Sequence, residues 1–242
     1  MKTDLDLTFG VPLFISPIAH IETDLPTKFG VPRQSGLVPE LKARIVFEPP
    51  YRDANALRGL DGFDYIWLIW HFSANEAHSG EAFRALVRPP RLGGNDTMGV
   101  FATRSSFRPN GLALSSLKIE RLELDTPEGP VIHVLGADLM DGTPIYDIKP
   151  YVTFTDSHPE ARNGFVDTHA KPTLTVHFPS DLLSLLPPDK QAAAMAVIEQ
   201  DPRPSYQSDS DRIYGVPFAG YDIRFRVDAE LHATVVEVNP LK

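Results

Sequence analysis

Short apolar runs alternate with turn residues over the first two thirds of the chain. The runs are mostly rich in β-branched and aromatic side chains and are bounded by Pro, Gly or Asp, a pattern that is typical of strands. The predicted strands are Phe14–Ile21, Ala43–Phe47, Tyr65–Phe72, Met98–Thr103, Leu112–Arg121 and Val131–Leu135. Arg52–Leu57 predicts no more than a turn or two of helix. The pattern therefore predicts an all-β core up to about residue 155.

The rest of the chain mixes strand-like and helical patterns. Gln191–Gln200 is rich in strong helix formers and follows Pro187-Pro188-Asp189, which favours a helix start. The polar residues 158–171 predict an exposed connection. Further strands are predicted at Thr173–Phe178, Tyr221–Val227 and Ala233–Val238. The tail is thus predicted to be a small α+β unit.

Composition narrows the class of protein. With 242 residues, of which 42% are hydrophobic and 23% charged, the chain fits one sizeable core with an appended subdomain, or at most two small domains. It has no cysteine, which excludes disulfides and thiolate chemistry. Asp4 and Asp6 near the start do not fit a secretory signal peptide, and no apolar run approaches the roughly 20 residues of a membrane span. We expect a soluble, cytoplasmic protein.

The charge of the chain is unevenly distributed. A formal net charge of −9 argues against a polyanionic partner. Between residues 84 and 108, however, five arginines stand against one acid, Asp96. These arginines are Arg84, Arg88, Arg91, Arg104 and Arg108. Such a local basic patch can bind a phosphate backbone, although it also fits a merely solvated face.

Two glycine- and proline-rich segments combine rigid backbone with polar donors. In residues 29–36, Pro32 fixes the backbone while Arg33 and Gln34 offer donors to a ligand; a plain surface loop is the alternative. In residues 87–110, arginines lie next to glycine-rich turns, an arrangement suited to a carboxylate or phosphate.

A third segment, residues 138–151, concentrates carboxylates, a lysine and two tyrosines. The sequence Asp141-Gly142-Thr143-Pro144 has the composition of a turn, which Asp138 and Asp147 would flank. This cluster is either a hydrogen-bonded turn network or a site that holds a ligand and supplies a base. The eight histidines show no metal-ligand spacing, and no P-loop, G-x-G-x-x-G or G-x-S-x-G motif occurs. We therefore expect no metal centre and no Rossmann-type nucleotide site.

Taken in order, six motifs resemble the bacterial TrmO family, and the match covers nearly the whole chain. The motifs are KFGVPRQSGL, ALRGLDGFDYIWLIWHF, VRPPRLGGN, MGVFATRSSFRPN, DGTPIYDIKPY and QDPRPSY. The resemblance implies an S-adenosylmethionine-dependent tRNA methyltransferase that N6-methylates threonylcarbamoyladenosine next to the anticodon. It also implies a mainly β fold, with a single closed β-barrel domain at 8–170 and a small α+β C-terminal subdomain at 171–242, assembled as a homodimer.

The resemblance further implies the positions of the site. Cofactor-binding positions would be Pro32, Arg33, Gln34, His71, Arg104, Leu114, Asp138, Asp141, Gly142 and Thr143. From side-chain chemistry, the candidate proton acceptors are Asp147, then Asp138, then Tyr151. The candidates for contact with the tRNA anticodon loop are Arg88, Arg91, Arg108 and Lys149, with Phe101, Phe107, Tyr146 and Tyr151 as base-stacking partners.

The chain departs from the family at one turn. Where the family reads R-P-N-P-I-G, this sequence has Arg108-Pro109-Asn110-Gly111-Leu112-Ala113, which predicts a looser backbone at Gly111. Two alternatives to the family activity stay open, the first of them suggested by this change. The protein could methylate another RNA or a small adenosine-like acceptor, or it could be a non-catalytic RNA-binding barrel.

Overall fold

The computed structural model describes residues 13–78, 83–92, 96–169, 172–204 and 209–241. Several sequence-based predictions lie outside these residues. They are the start of the first domain at residues 8–12, the end of the VRPPRLGGN motif, the boundary residue Lys171, the Ser205-Tyr206 end of QDPRPSY and the side chain of Arg91. In the described ranges, no helix is both long and apolar enough to cross a membrane.

Six antiparallel strands form a closed barrel in the order β1-β2-β7-β6-β3-β8. The strands are β1 (Ala19–Glu22), β2 (Lys42–Phe47), β3 (Tyr65–His71), β6 (Leu112–Glu123), β7 (Val131–Leu135) and β8 (Thr143–Pro150). A two-stranded ribbon, β4 (Leu86–Val87) with β5 (Met98–Gly99), lies between β3 and β6 in sequence. The predicted closed barrel is confirmed.

Alternation along the strands fills the barrel. In β3, Ile66, Leu68 and Trp70 are buried, whereas Trp67 and Ile69 between them lie on the outer face. This period of two is the expected consequence of strand geometry. The inward positions of the other strands complete the core with Ala19, Ile21, Ala43, Ile45, Phe47, Leu117, Ile132, Val134 and Ile145.

Two predicted strands are much shorter than the sequence indicated. Only Met98–Gly99 of the run 98–103 is a strand, and Val100–Ala102 form a 3-10 turn instead. Its partner β4 ends at Val87, before Pro89 and Pro90, whose missing N–H groups cannot continue a ladder. In the same way, Pro17 precedes β1, so that the strand begins only at Ala19.

The C-terminal part is a four-stranded sheet packed against helices, as predicted. The sheet order is β10-β11-β12-β9, with the pair β12 and β9 parallel. The elements are β9 (Thr175–His177), α2 (Ser180–Leu183), α3 (Pro188–Glu199), β10 (Tyr214–Phe218), β11 (Tyr221–Val227) and β12 (His232–Pro240), and a short helix α1 (Thr153–Asp156) follows the barrel. Strand β10, which the sequence did not predict, contains Pro217; it is an edge strand, where proline is tolerated.

Part of the core of the C-terminal subdomain comes from the barrel region. Leu25, Val38 and Leu41, in the connection between β1 and β2, are buried in one cluster with residues of α3 and of the C-terminal sheet. The partly buried Phe29 and Val31 pack against the same cluster. The division into 8–170 and 171–242 therefore stays a proposal about sequence units, because this packing joins the two units through one segment.

Candidate active site

Three long connections meet at one end of the barrel. Neighbouring strands are antiparallel all around the barrel, so the connections after β1, β3 and β7 emerge at the same end. These connections are residues 23–41, 72–111 and 136–142; we call this end of the barrel the loop end. Two of them are directly linked, because Lys28 Nζ donates a hydrogen bond to Asn75 Oδ1 at 2.6 Å. The loop end brings together most of the cofactor-binding positions predicted from the sequence.

Asp138 is the most perturbed carboxyl group at the loop end. Burial raises the pKa of Asp138 from an ordinary 3.8 to about 6, because the charged form loses hydration there. Hydrogen bonds from Ser115 and from the backbone N–H of Ser35, together with the positive charge of Arg104, act in the opposite direction. Its Oδ1 is buried and has no hydrogen-bond partner among the described residues. Asp138 thus offers an unsatisfied oxygen to a donor.

Ser115 lies inside the barrel, close to this carboxylate. Its side chain is 2% exposed, and its Oγ accepts a hydrogen bond from Trp70 Nε1 at 3.0 Å. The hydroxyl hydrogen is therefore available to Asp138, the partner whose pKa it lowers. The sequence-based reasoning missed Ser115, Trp70 and Ser35. One signal was present, because Ser115 is a polar residue at an inward position of β6.

The segment Pro32–Gln34 lies beside this carboxylate. Pro32 is buried and Arg33 is exposed. Gln34 Oε1 accepts a hydrogen bond from the Arg104 guanidinium, which joins the first and second connections. The backbone N–H of Gly36 donates to the carbonyl of Gly136 at 2.9 Å and fixes the same segment to the third connection.

Asp141, Gly142 and Thr143 bind the protein's own backbone at this end. Asp141 Oδ1 accepts from the backbone N–H of Thr23 at 2.9 Å, and the Thr143 hydroxyl donates to the carbonyl of Met140 at 2.6 Å. Gly142 has φ +73°, a left-handed conformation that suits glycine in the turn before β8. These contacts fix the entry into β8 and place Asp138 just before it.

His71, at the end of β3, packs against the turn that departs from the family sequence. The turn is not loose: the Gly111 N–H donates to the Arg108 carbonyl at 3.0 Å, and the Gly111 carbonyl accepts from Phe72 N–H at 2.9 Å. Gly111 has φ +59°, and a Cβ there would lie 2.8 Å from His71 Nε2. On its other side, the His71 ring meets Tyr146 edge to face, with ring centroids 6.4 Å apart. Glycine is therefore required for this arrangement of His71.

The remaining candidates lie on the outer face of β6, β3 and β8. Asp147 Oδ1 accepts from the backbone N–H of Ile148 at 2.9 Å, and its Oδ2 is 3.2 Å from Lys149 Nζ. Tyr151 packs against Trp67, with ring centroids 5.6 Å apart. Leu114 is 54% exposed on the same face. The structure thus separates Asp147 and Tyr151 from the buried surroundings of Asp138.

The basic segment carries exposed aromatic rings as well as arginines. Phe83 and Phe101 stack with ring centroids 6.1 Å apart, and both are exposed. Arg88 is exposed, whereas the Arg108 guanidinium donates to the carbonyl of Thr103 at 3.2 Å. Among the residues that the structure describes, no group of three or more His, Cys, Asp or Glu side chains could hold a metal ion.

The fold and the loop end define a β-barrel protein with a buried acid at the mouth of the barrel and a sheet-based C-terminal subdomain. Residues 20–157 match the model of the tRNA-methyltransferase O N-terminal domain, and residues 171–241 match that of the TrmO C-terminal domain. The chain belongs to the TrmO family, as its sequence motifs predicted.

Individual relatives agree with this assignment. A tRNA (adenine(37)-N6)-methyltransferase of Escherichia coli is 37% identical over 219 residues, covering 87% of this chain and 91% of that protein. A putative S-adenosylmethionine-dependent methyltransferase, RcsF, of Pseudomonas aeruginosa is 36% identical over the same shares of the two chains. A crystal structure of TrmO from P. aeruginosa has a TM-score of 0.75 at 30% identity and covers 96% of this chain and 100% of that one.

Proposed function

We propose that this protein is an S-adenosylmethionine-dependent tRNA methyltransferase that methylates N6 of adenine 37, in threonylcarbamoyladenosine. The E. coli relative, named for methylation of tRNA adenine 37 at N6, supports the reaction. The observation that carries the proposal within this chain is Asp138, a buried carboxylate with an unsatisfied oxygen at the loop end. A proton acceptor of this kind is what N-methylation requires.

The residues of the loop end fit S-adenosylmethionine. The cofactor carries a carboxylate, an ammonium group and ribose hydroxyls. The Arg104 guanidinium, the Gln34 amide and exposed Arg33 offer matching polar groups. The unpartnered Oδ1 of Asp138 is suited to an N–H or O–H donor of a bound ligand. We propose that the predicted cofactor positions hold the cofactor here, with Asp141, Gly142 and Thr143 shaping the backbone of the site.

The cofactor would supply an electrophilic methyl group. The protein would hold the acceptor N6 in line with that group and supply a base. We propose Asp138 as the group that accepts the proton of N6. With a pKa of about 6, Asp138 is mostly ionised at neutral pH. Its pKa is also close enough to 7 for it to act as a general base. Ser115 and the Ser35 N–H are the neighbouring donors that would favour its charged form. Asp147, by comparison, is already engaged by Lys149.

Exposed rings and cations next to the loop end support binding of a single-stranded RNA loop. Splayed bases stack on aromatic side chains, and arginines contact phosphates. We propose Phe101 and Phe107, both exposed, as stacking positions and Arg88 as a phosphate contact. Arg91, Arg108 and Lys149 remain candidate RNA contacts. Arg108 would act mainly by ordering its loop, because its guanidinium donates to the Thr103 carbonyl.

We also propose a homodimer that acts in the cytoplasm, where tRNA would be its substrate. The outer face of β3 and β6 supports the dimer, because Tyr65 and Leu114 are exposed there and Trp67 and Ile69 are only half-buried. An exposed apolar face of this kind is typical of an interface. Sedimentation equilibrium of the wild type and of Leu114→Glu tests the proposal; a monomeric wild type would contradict it.

The proposed activity is tested with purified protein, radiolabelled S-adenosylmethionine and two tRNA preparations that differ only in the threonylcarbamoyl group. We expect label in the modified tRNA alone, at N6 of adenine 37. Equal labelling of unmodified tRNA or of free adenosine would favour another acceptor. Cofactor binding without transfer to any acceptor would favour a non-catalytic barrel.

A further inference from the structure

The connection between β1 and β2, residues 23–41, contacts the C-terminal subdomain on one side and the loop end on the other. We call it the cofactor loop, because it carries Pro32, Arg33 and Gln34. One side is buried in the C-terminal subdomain, since Leu25, Val38 and Leu41 are each at most 2% exposed and belong to its apolar cluster. The other side faces the loop end. The C-terminal subdomain therefore lies directly behind the proposed cofactor-binding residues.

The backbone of the loop comes close to the C-terminal subdomain at Gly30, two residues before Pro32. A Cβ at Gly30 would lie 2.9 Å from Val216 Cγ1 of β10 and 3.8 Å from Val197 Cγ1 of α3. The residue has φ +94°, which L side chains rarely adopt. Only glycine lets the backbone of the cofactor loop approach β10 this closely.

Two polar contacts attach the beginning of the loop to the same subdomain. Lys190 Nζ of α3 is 2.6 Å from Asp24 Oδ2, and the two side chains are only 26% and 20% exposed. The backbone N–H of Ala219 donates to the carbonyl of Asp24 at 2.9 Å. The loop is thus fixed at Asp24 as well as at Gly30.

On its other side the loop carries the polar contacts of the site. Gln34 accepts from Arg104, and the N–H of Ser35 is one of the donors that lower the pKa of Asp138. The residues from Gly30 to Ser35 are consecutive, so a shift of the backbone at Gly30 is transmitted over a few bonds to Gln34 and Ser35. Misplacement of a binding or catalytic group by about 1 Å is enough to lower activity markedly.

We propose that the C-terminal subdomain is a working part of the cofactor site, in which Val216 and the Lys190–Asp24 ion pair are positioning elements for the cofactor loop. This inference rests on the proposed function, since it requires that Gln34 and its neighbours bind S-adenosylmethionine. Gly30 is the point at which the subdomain sets the position of the loop.

The first test is Gly30→Ala, which adds a methyl group against Val216. We expect the Kd for S-adenosylmethionine, measured by isothermal titration calorimetry, to rise about fivefold to tenfold. The matched control is Gly59→Ala. Gly59 has a similar φ of +87°, but a Cβ there meets nothing within 4 Å. The control carries the backbone strain without the contact, so its Kd should stay that of the wild type.

The second test is rescue. Val216→Ala removes the methyl group that collides with the new Cβ, so Gly30→Ala with Val216→Ala should recover most of the lost cofactor affinity. A purely global loss of stability would be deepened by the second substitution instead. Failure of the rescue, or an equal loss of affinity in Gly59→Ala, would overturn the proposal.

Lys190 gives a test outside the apolar cluster of the C-terminal subdomain. Lys190→Met should raise the Kd for S-adenosylmethionine, whereas Lys190→Arg, which keeps the ion pair with Asp24, should retain affinity. If the wild type binds the cofactor and both Gly30→Ala and Lys190→Met bind it equally well, this inference is wrong. If the wild type itself binds no S-adenosylmethionine, the proposed function is wrong.

Discussion

Two carboxylates from one short segment have opposite surroundings. Asp138 lies at the loop end, where burial raises its pKa to about 6 and leaves one oxygen without a partner. Asp147, nine residues later, lies on the outer face, where its side chain is 46% exposed and pairs with Lys149. The same carboxylate group therefore has a raised pKa and an unpartnered oxygen at Asp138, whereas at Asp147 it is exposed and paired with a lysine. The surroundings of a carboxylate determine its role more than its nearness to other polar residues in sequence.

The comparison is tested most strongly by the same substitution at both positions. Asp138→Asn should lower kcat on modified tRNA by about 10²-fold or more, because it removes the proton acceptor that we propose. Asp147→Asn should change kcat less than about threefold, since a solvent-exposed ion pair contributes little. Single-turnover rates and the Kd for S-adenosylmethionine would be measured for both variants. The reverse order of effects would assign the base to Asp147.

The pH dependence of the stability of the folded protein should also distinguish Asp138 from Asp147. The folded-state pKa of Asp138 is raised, so the folded protein holds the proton more tightly, and its stability falls as pH rises from about 4 to about 6. Asn avoids this cost of a buried charge. Asp138→Asn should therefore be more stable than the wild type by about 3 kcal/mol at neutral pH, with no difference at about pH 4. Urea unfolding of the cofactor-free wild type and variant at both pH values measures this difference in stability. A stabilisation that is independent of pH would contradict the prediction.

A smaller effect is expected where the loop end meets the outer face, at Gly111. Gly111→Ala would push a Cβ against His71 Nε2, and we expect the Kd for S-adenosylmethionine to rise about fivefold. Gly164→Ala is the matched control, because Gly164 has φ +62° with open space around it. In a His71→Ala background, the Gly111 substitution should lose its effect on Kd. If that effect persists there, Gly111 does not act through His71.

The smallest effect is expected on the outer face itself. Lys149→Ala removes an exposed cation, 64% accessible and partly neutralised by Asp147. The KM for tRNA should rise about twofold, with a slightly weaker dependence on salt. Methylation rates at several tRNA and salt concentrations check this. A loss of affinity greater than about tenfold would place the anticodon loop on this face.

The sequence pattern predicted best the strands that coincide with one apolar run and the helix that is rich in strong helix formers. The bounds of β2, β3 and β7 follow the apolar runs closely, and α3 begins at Pro188 as expected. Strand β8 was missed, because Asp147 and Lys149 on its exposed side made residues 138–151 resemble a turn cluster. Sequence alone also did not predict that Ser115 and Ser35 would be the partners of Asp138. Those contacts depend on barrel closure and strand register, which bring distant segments together.

The apolar side of the cofactor loop should hold the two parts of the protein together even when the chain between them is cut. The connection at residues 158–169 is almost entirely exposed, which makes it accessible to a protease. A cut there would leave Leu25, Val38 and Leu41 inserted in the other fragment, together with the Lys190–Asp24 ion pair. The nicked protein would elute as one species from a native sizing column and separate into two bands only in detergent. The two parts could thus serve as a split enzyme, held together by side chains alone.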